Sequence, residues 1–395
     1  MTRDTAPPTA PPRGFPQTEF EARTARAQSL MAAREIDALL LTTEPEVRYF
    51  SGFRSQFWES PTRPWFLVVP REGRPIAVIP EIGAAGMAET WVEDIRTWPA
   101  PEPEDDGVSL LAAALTEQAT RFGRIGVPLG HQTTLRMPAA DYGRLVDRLG
   151  NLEVADATGI VRLLRDVKSP LEIDKIRYVC GLTSDAFEAL PAAARQGESE
   201  REVCRKLQLD LLRRGADATP YLIGASGPGG YDNIIMGPTD RVMEDGDVLI
   251  IDTGATFDGY FCDFDRNFAF GQPPEAARRA HQVVYDATEA GIEAARPGAT
   301  HEELWAVMWQ VLEAGGALGE TVGRLGHGLG MQLTEGPSNK PGDMTVLEPG
   351  MVITIEPGMV FAPGKLMVHE ENIAITDGPA ELLSRRAPPE MPVIR

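Results

Sequence analysis

Cysteine is scarce in this sequence: Cys180, Cys204 and Cys262 are the three in 395 residues. An odd count with no C-x-x-C pair argues against a disulfide framework and suits a reducing cytoplasm. Long apolar runs are missing too. The longest, such as Asp247-Val-Leu-Ile-Ile-Asp252, have only strand length. None approaches the roughly 20 apolar residues that cross a bilayer, so no membrane partner is expected. The opening stretch MTRDTAPPTAPPRGFP has no apolar h-region, which speaks against a secretory signal. Positive charge is in deficit: 38 Lys and Arg stand against 58 Asp and Glu, a formal net charge of −20. So acidic a surface repels nucleic acid and anionic lipid. Histidine is sparse as well, with His131, His281, His301, His327 and His369 making five.

What is present is ordinary globular material, 43% hydrophobic and 24% charged, in a chain long enough for two cores. Residues 1–16 are rich in Pro, Thr and Ala and are expected to form a disordered tail. A first domain is expected over 17–158. It opens with a helix over Glu19–Arg34, and short buried-strand patterns follow at 36–41, 65–70, 75–80 and 152–156. This alternation reads as α/β. A second domain is expected over 159–395. Its helix opens at Ser169-Pro170-Leu-Glu172, with Ser at the N-cap, Pro at the first helical position and an acid in the first turn. Helical stretches are expected at 171–195, 199–215, 274–296 and 301–316. Strands are expected at 247–253, 259–270, 350–356 and 366–376.

The second domain shows one device twice. Asp252 ends an apolar strand, Asp258-Gly259 is a hairpin turn signal, and Asp263 returns on the next strand. Glu356 likewise ends an apolar strand, Pro357-Gly358 turns the chain, and Glu370 lies on the return strand. Buried carboxylates are costly unless paired or bound to metal. Gly326-His327-Gly328-Leu-Gly330 adds a nitrogen ligand where glycines permit close backbone approach. Four carboxylates and one imidazole suit two divalent ions, manganese first, with Co, Fe or Zn as alternatives. Two ions roughly 3.5 Å apart share a water, lower its pKa and clamp a developing oxyanion.

These motifs resemble the pita-bread metallopeptidases, a family of prolidase, Xaa-Pro aminopeptidase, methionine aminopeptidase and creatinase. The segments are Ile251-Asp252-Thr-Gly254 with Gly259-Tyr260-x-x-Asp263-x-x-Arg266, then Gly326-His327-Gly328-x-Gly330, Ile355-Glu356-Pro-Gly358, and Glu370-Glu-Asn-Ile-Ala-Ile-Thr376. They occur in order, with an eleven-residue step from Asp252 to Asp263. The resemblance implies an α/β N-terminal domain of the creatinase/prolidase kind and an α+β pita-bread catalytic domain with two pseudo-symmetric halves. It also implies a homodimer in which one subunit's N-terminal domain roofs the other's site. By position, Asp252 would bind one metal, Asp263 and Glu370 would bridge the pair, and His327 and Glu356 would complete the second ion. Glu356 would also handle the proton of the attacking water. Glu370 is preferred to Glu371 by its six-residue distance from Thr376. Strand alternation turns only one of the two inward.

The sequence departs from this family at its helper histidines. Ile235, Gly323 and Thr334 stand where the family places them, and D-x-T-R becomes Asp263-Phe-Asp265-Arg266. Losing one positioned acid or base costs about 10²–10⁴-fold in rate. Asp265, Glu335 and Tyr260 are therefore candidate catalytic groups beside Glu356, and His369 is a further substitute. Arg266, Arg324, Thr334, Tyr231 and Trp58 are candidate substrate contacts. The expected function is a dinuclear hydrolase of the Xaa-Pro dipeptidase or aminopeptidase type, cleaving a small amide or dipeptide-like substrate through a metal-bound hydroxide. The alternative is a specialised non-peptidase, either a creatinase-like C–N hydrolase or a lyase acting on a small zwitterion. A third class is an inactive relative that serves as a binding protein.

Overall fold

The structure is a computed structural model that describes residues 9–319 and 323–395. Of the expected tail, residues 1–8 lie outside the described residues. Further along, Phe15 packs edge-on against Phe20 at 6.1 Å. The described residues divide into two compact units, one of residues 12–165 and one built mainly of residues 166–395. The division falls at 165/166 rather than 158/159, because helix Thr158–Asp166 is tied back into the first unit: the Tyr49 hydroxyl donates to the Leu164 carbonyl at 3.0 Å.

In the first unit a six-stranded sheet consists of β1 (Ala38–Leu41), β2 (Phe66–Pro70), β3 (Ile76–Pro80), β4 (Asp94–Trp98), β5 (Arg124–Val127) and β6 (Glu153–Asp156). Its order is β4-β3-β2-β1-β5-β6. Helices α1 (Gln17–Ala33), α2 (Glu44–Ser51), α3 (Ala84–Ala88), α4 (Val108–Gln118), α5 (Ala139–Leu149) and α6 (Thr158–Asp166) accompany it. Leu40, Phe66, Val68, Val78, Leu111 and Ile125 form its core.

The second unit repeats a plan of two helices followed by an antiparallel sheet. The first half has α7 (Pro170–Ala193) and α8 (Glu200–Arg214), then β7 (Ala218–Pro228), β8 (Asp247–Phe257), β9 (Tyr260–Phe261) and β10 (Phe264–Phe270). The second half has α9 (Glu275–Ala294) and α10 (His301–Ala314), then β11 (His327–Gly328), β12 (Glu335–Ser338), β13 (Val352–Ile355), β14 (Gly358–Ala362), β15 (Lys365–Val368), β16 (Glu371–Ala374) and β17 (Glu381–Leu382). A last strand, β18 (Val393–Ile394), returns to pair with β10. The sheets run β18-β10-β8-β7 and β12-β11-β13-β16-β17. Local chemistry explains the helix starts. Ser169, Ser199 and Thr300 each form a capping box with the Glu three residues on, a feature worth about 1 kcal/mol per cap. The inner faces of the two halves share one core, in which Val248, Ile250 and Ala269 meet Ile353, Ile355 and Ile373.

Candidate metal centre

The site grows out of that shared core. Register pairs Val248 with Ala269, Ile250 with Asn267, and Asp252 with Asp265. Directly opposed residues share a sheet face, so the apolar core rows continue into a pair of aspartates. Asp252 lies inside the continuous strand β8 rather than at its end. The turn at Asp258-Gly259 is as expected: φ is +50° and +80°, the left-handed pair that a tight hairpin requires. Asp263 sits in the gap between β9 and β10, where the Asn372 side chain holds it. The Asp263 N–H donates to Asn372 Oδ1 at 2.9 Å, and Asn372 Nδ2 donates to the Asp263 carbonyl.

The second hairpin differs from its expected form. The chain does not turn at Pro357-Gly358 but continues into β14, which pairs with β15. Both strands are interrupted at the same level. The His369 N–H donates to the Pro357 carbonyl at 3.1 Å, and Glu356 and Glu370 occupy the paired interruptions. Free of ladder geometry, both carboxylates lie at the level where the halves meet.

His327 enters on β11. Its N–H donates to Thr354 Oγ1 at 3.1 Å, and its ring lies with Nδ1 2.9 Å from the Gly328 carbonyl. A neutral ring donating from Nδ1 leaves the Nε2 lone pair facing Asp263 Oδ2 at 3.4 Å and Glu356 Oε2 at 3.9 Å. Burial pushes the His327 pKa down to about 4, which keeps the ring neutral. The glycines around it are steric necessities. A Cβ on Gly326 would stand 2.2 Å from the Thr354 carbonyl oxygen, and one on Gly328 the same distance from that of Gly336.

One ligand atom each from Asp263, His327 and Glu370 lies within 4.8 Å of the others. Asp252 Oδ1, Asp263 Oδ1, Asp265 Oδ1 and Glu370 Oε1 are buried without a hydrogen-bond partner. Burial raises all four carboxyls, and repulsion from neighbouring carboxylates adds to it at Asp263, Asp265 and Glu370. Burial above all pushes Asp252 up to about 6 and Glu356 up to about 8, and it raises Asp263 and Glu370 strongly, with neighbouring carboxylates adding to the effect. Buried, crowded oxygens without donors beside an imidazole lone pair form a donor set that fits divalent cations.

These observations decide the relationship. The description "Metallopeptidase family M24" matches residues 174–377, and "Creatinase/Prolidase N-terminal domain" matches residues 23–167. The chain belongs to metallopeptidase family M24. It is 30% identical over 384 residues to the Mycobacterium tuberculosis protein named Probable dipeptidase PepE, covering 97% of this chain and 98% of that one. The crystal structure of dipeptidase PepE from Mycobacterium ulcerans superposes with a TM-score of 0.83 at 29% identity, over 96% of this chain and 99% of that one. A recombinant prolidase from Thermococcus sibiricus shares the fold, with a TM-score of 0.85 at 24% identity over 96% and 100% of the two chains. The architecture is thus the α/β N-terminal domain plus the α+β pita-bread unit with two pseudo-symmetric halves. Of the residues at the expected helper positions, Ile235 is 80% exposed.

Several candidate residues lie elsewhere than expected. Tyr231 is 1% exposed and donates to Asn267 Oδ1 at 3.0 Å, which makes it a core residue rather than a substrate contact. Tyr260 is equally buried and donates to Glu172 Oε1 at 2.9 Å. Glu335 pairs with the buried Lys168 at 3.3 Å. Arg266 is used internally, donating to Glu371 Oε2 and to the Glu370 carbonyl, each at 3.0 Å. His369 accepts from Arg386 Nη1 at 2.9 Å and is buried. Trp58 belongs to the core of the first unit, with Trp65 beside it and the Arg136 guanidinium over its ring at 5.3 Å. Arg324 and Thr334 do come together, with Nη2 3.4 Å from Oγ1. The Arg324 charge partly offsets the burial that raises Asp263 and Glu356.

Two residues were missed. The half-buried Tyr221 donates to Asp252 Oδ2 at 2.9 Å. Pairing of Tyr221 with Gly254 and Ile223 with Asp252 puts it on the inner face, a register that needs the bulge between Ala218 and Tyr221. Asn372 was visible inside the fourth motif, but its clamp on Asp263 links segments 109 positions apart.

Proposed function

We propose that the chain is a dinuclear metal-dependent hydrolase of the Xaa-Pro dipeptidase kind, acting on a small amide or dipeptide-like substrate. The observation that carries this reading is the convergence of Asp263, His327 and Glu370 within 4.8 Å, with buried oxygens of Asp252, Asp263 and Glu370 left without a hydrogen-bond partner. Asp252, Asp263, Glu370, His327 and Glu356 would hold the ions. Divalent ions in such a site acidify water and polarise a carbonyl. Manganese is the first candidate, with Co, Fe and Zn behind it.

The remaining work belongs to side chains. The Glu356 side chain is 25% exposed, against 6% for Asp263, so it is the better placed of the two to accept a proton from attacking water and return it to the leaving amine. Tyr221 would orient Asp252, and Arg324 with Thr334 would receive a substrate carbonyl or carboxylate. A homodimer in the cytoplasm completes the reading. The buried free cysteines support the second point, and light scattering tests the first. Among the described residues no helix is long and apolar enough to cross a membrane.

The test is to strip the protein with a chelator and assay Xaa-Pro and other dipeptides before and after adding Mn²⁺. Activity that vanishes and returns supports the reading; indifference to both steps overturns it. A second reading, a specialised non-peptidase on a small zwitterion, is favoured by Ile235, Gly323 and Thr334 at the helper positions. Turnover of N-methylated or betaine-like compounds with no dipeptide turnover would select it.

A further inference from the structure

Asp265 is the one cluster carboxylate that the proposed ligand set leaves unused. It is 1% exposed, and its Oδ1 has no hydrogen-bond partner. It stands directly across the ladder from Asp252 and two residues along the chain from Asp263. Asp252 Oδ1 is also without a partner, while its Oδ2 is held by Tyr221. The adjacent Arg266 donates no hydrogen bond to the Asp265 carboxylate; its guanidinium is committed to the Glu371 carboxylate and to the carbonyls of Asp265, Glu370 and Arg385. Burying an unpaired carboxylate is expensive. A position that carries one beside a cation-binding carboxylate makes physical sense if a cation completes it.

We propose that Asp265 is a further protein ligand for the ion held by Asp252, making that end of the site richer in oxygen than the five-residue set alone. The inference rests on the two-metal reading. It assigns Asp265 to metal binding rather than to proton transfer. An added hard oxygen favours ions of higher coordination number, such as Mn²⁺, over tetrahedral Zn²⁺.

The experiment uses the full-length protein stripped of metal, with Asp265→Asn and Asp265→Thr as variants. Mn²⁺ is titrated calorimetrically, and thermal melting is followed without metal. The parent protein is expected to take two Mn²⁺. Each variant should lose at least about 10-fold in affinity at one of the two sites, while its metal-free form melts higher, since a buried unpaired charge has been removed. Mn²⁺ binding equal to the parent's in both variants overturns the inference and leaves the two-metal reading standing. A metal-free form that melts lower than the parent in both variants assigns Asp265 to packing and also overturns it. A parent protein that takes no Mn²⁺ overturns the two-metal reading, and this inference with it.

Discussion

In the second half of the M24 unit, Glu371 lies beside Glu370 and is fully satisfied. Arg266 Nη2 and Ser384 Oγ donate to its Oε2, and Arg386 Nη1 and the Ala387 N–H donate to its Oε1 at 3.2 and 2.9 Å. In the first half, Asp265 lies two residues from Asp263 and has an Oδ1 with no donor at all. Both halves thus place a surplus buried acid next to a cluster carboxylate. One surplus acid is taken up by arginines that fasten the hairpin, and the other keeps an oxygen without a donor, on the residue facing Asp252. Equal burial therefore says little about role; the donors around each oxygen separate a structural acid from a ligand.

Substitutions at neighbouring residues sharpen this contrast most. Glu370→Gln is expected to remove bound metal and lower turnover about 10³-fold or more, beyond the ~10–100-fold carried by outer partners of a metal ligand. Glu371→Gln should keep its full metal complement by elemental analysis; loss of metal there would erase the distinction. Next comes Arg266→Met, which strips Glu371 of a counter-ion. It should cost about 3–5 kcal/mol of stability in denaturant titration, and a change below about 1 kcal/mol would show that Glu371 needs no such partner. Tyr221→Phe removes only the donor to Asp252. A loss of about 10-fold in Mn²⁺ affinity is expected, with folding unchanged by circular dichroism.

A further contrast is in pH dependence. Glu356, raised to about 8, and Asp252, raised to about 6, bind protons more tightly folded than unfolded. Their contribution is full below about pH 4 and is lost as pH rises through those values. The melting temperature of the metal-free protein should therefore decline between about pH 5 and 8, and Mn²⁺ should remove that decline. A metal-free melting temperature that rises across this window would contradict the crowding of unpaired carboxylates.

Much of this was legible in the sequence. Ser169 and Glu172 announced their helix because capping is local chemistry. Asp258-Gly259 announced its hairpin because two left-handed residues in succession have few solutions. The interruptions at Glu356–Pro357 and His369–Glu370 were not legible. Each looks like continuous strand or simple turn until its partner is known, and the two breaks are matched across 12 positions of chain by one hydrogen bond, from the His369 N–H to the Pro357 carbonyl at 3.1 Å. Tyr221 and Tyr231 were equivalent as sequence, since both flank a glycine-rich stretch. Only the register of β7 on β8, bulge included, separates the one that touches Asp252 from the one that fills the core.

The Asn372 clamp has a mechanical consequence. A single amide from the second half holds both backbone groups of Asp263 in the first, so Asp263 cannot shift without pulling on β16. The halves behave as two jaws riveted at the point where they bite. Prying them apart, by heat or by a substitution far from the metals, should dismantle the bite before it dismantles either jaw.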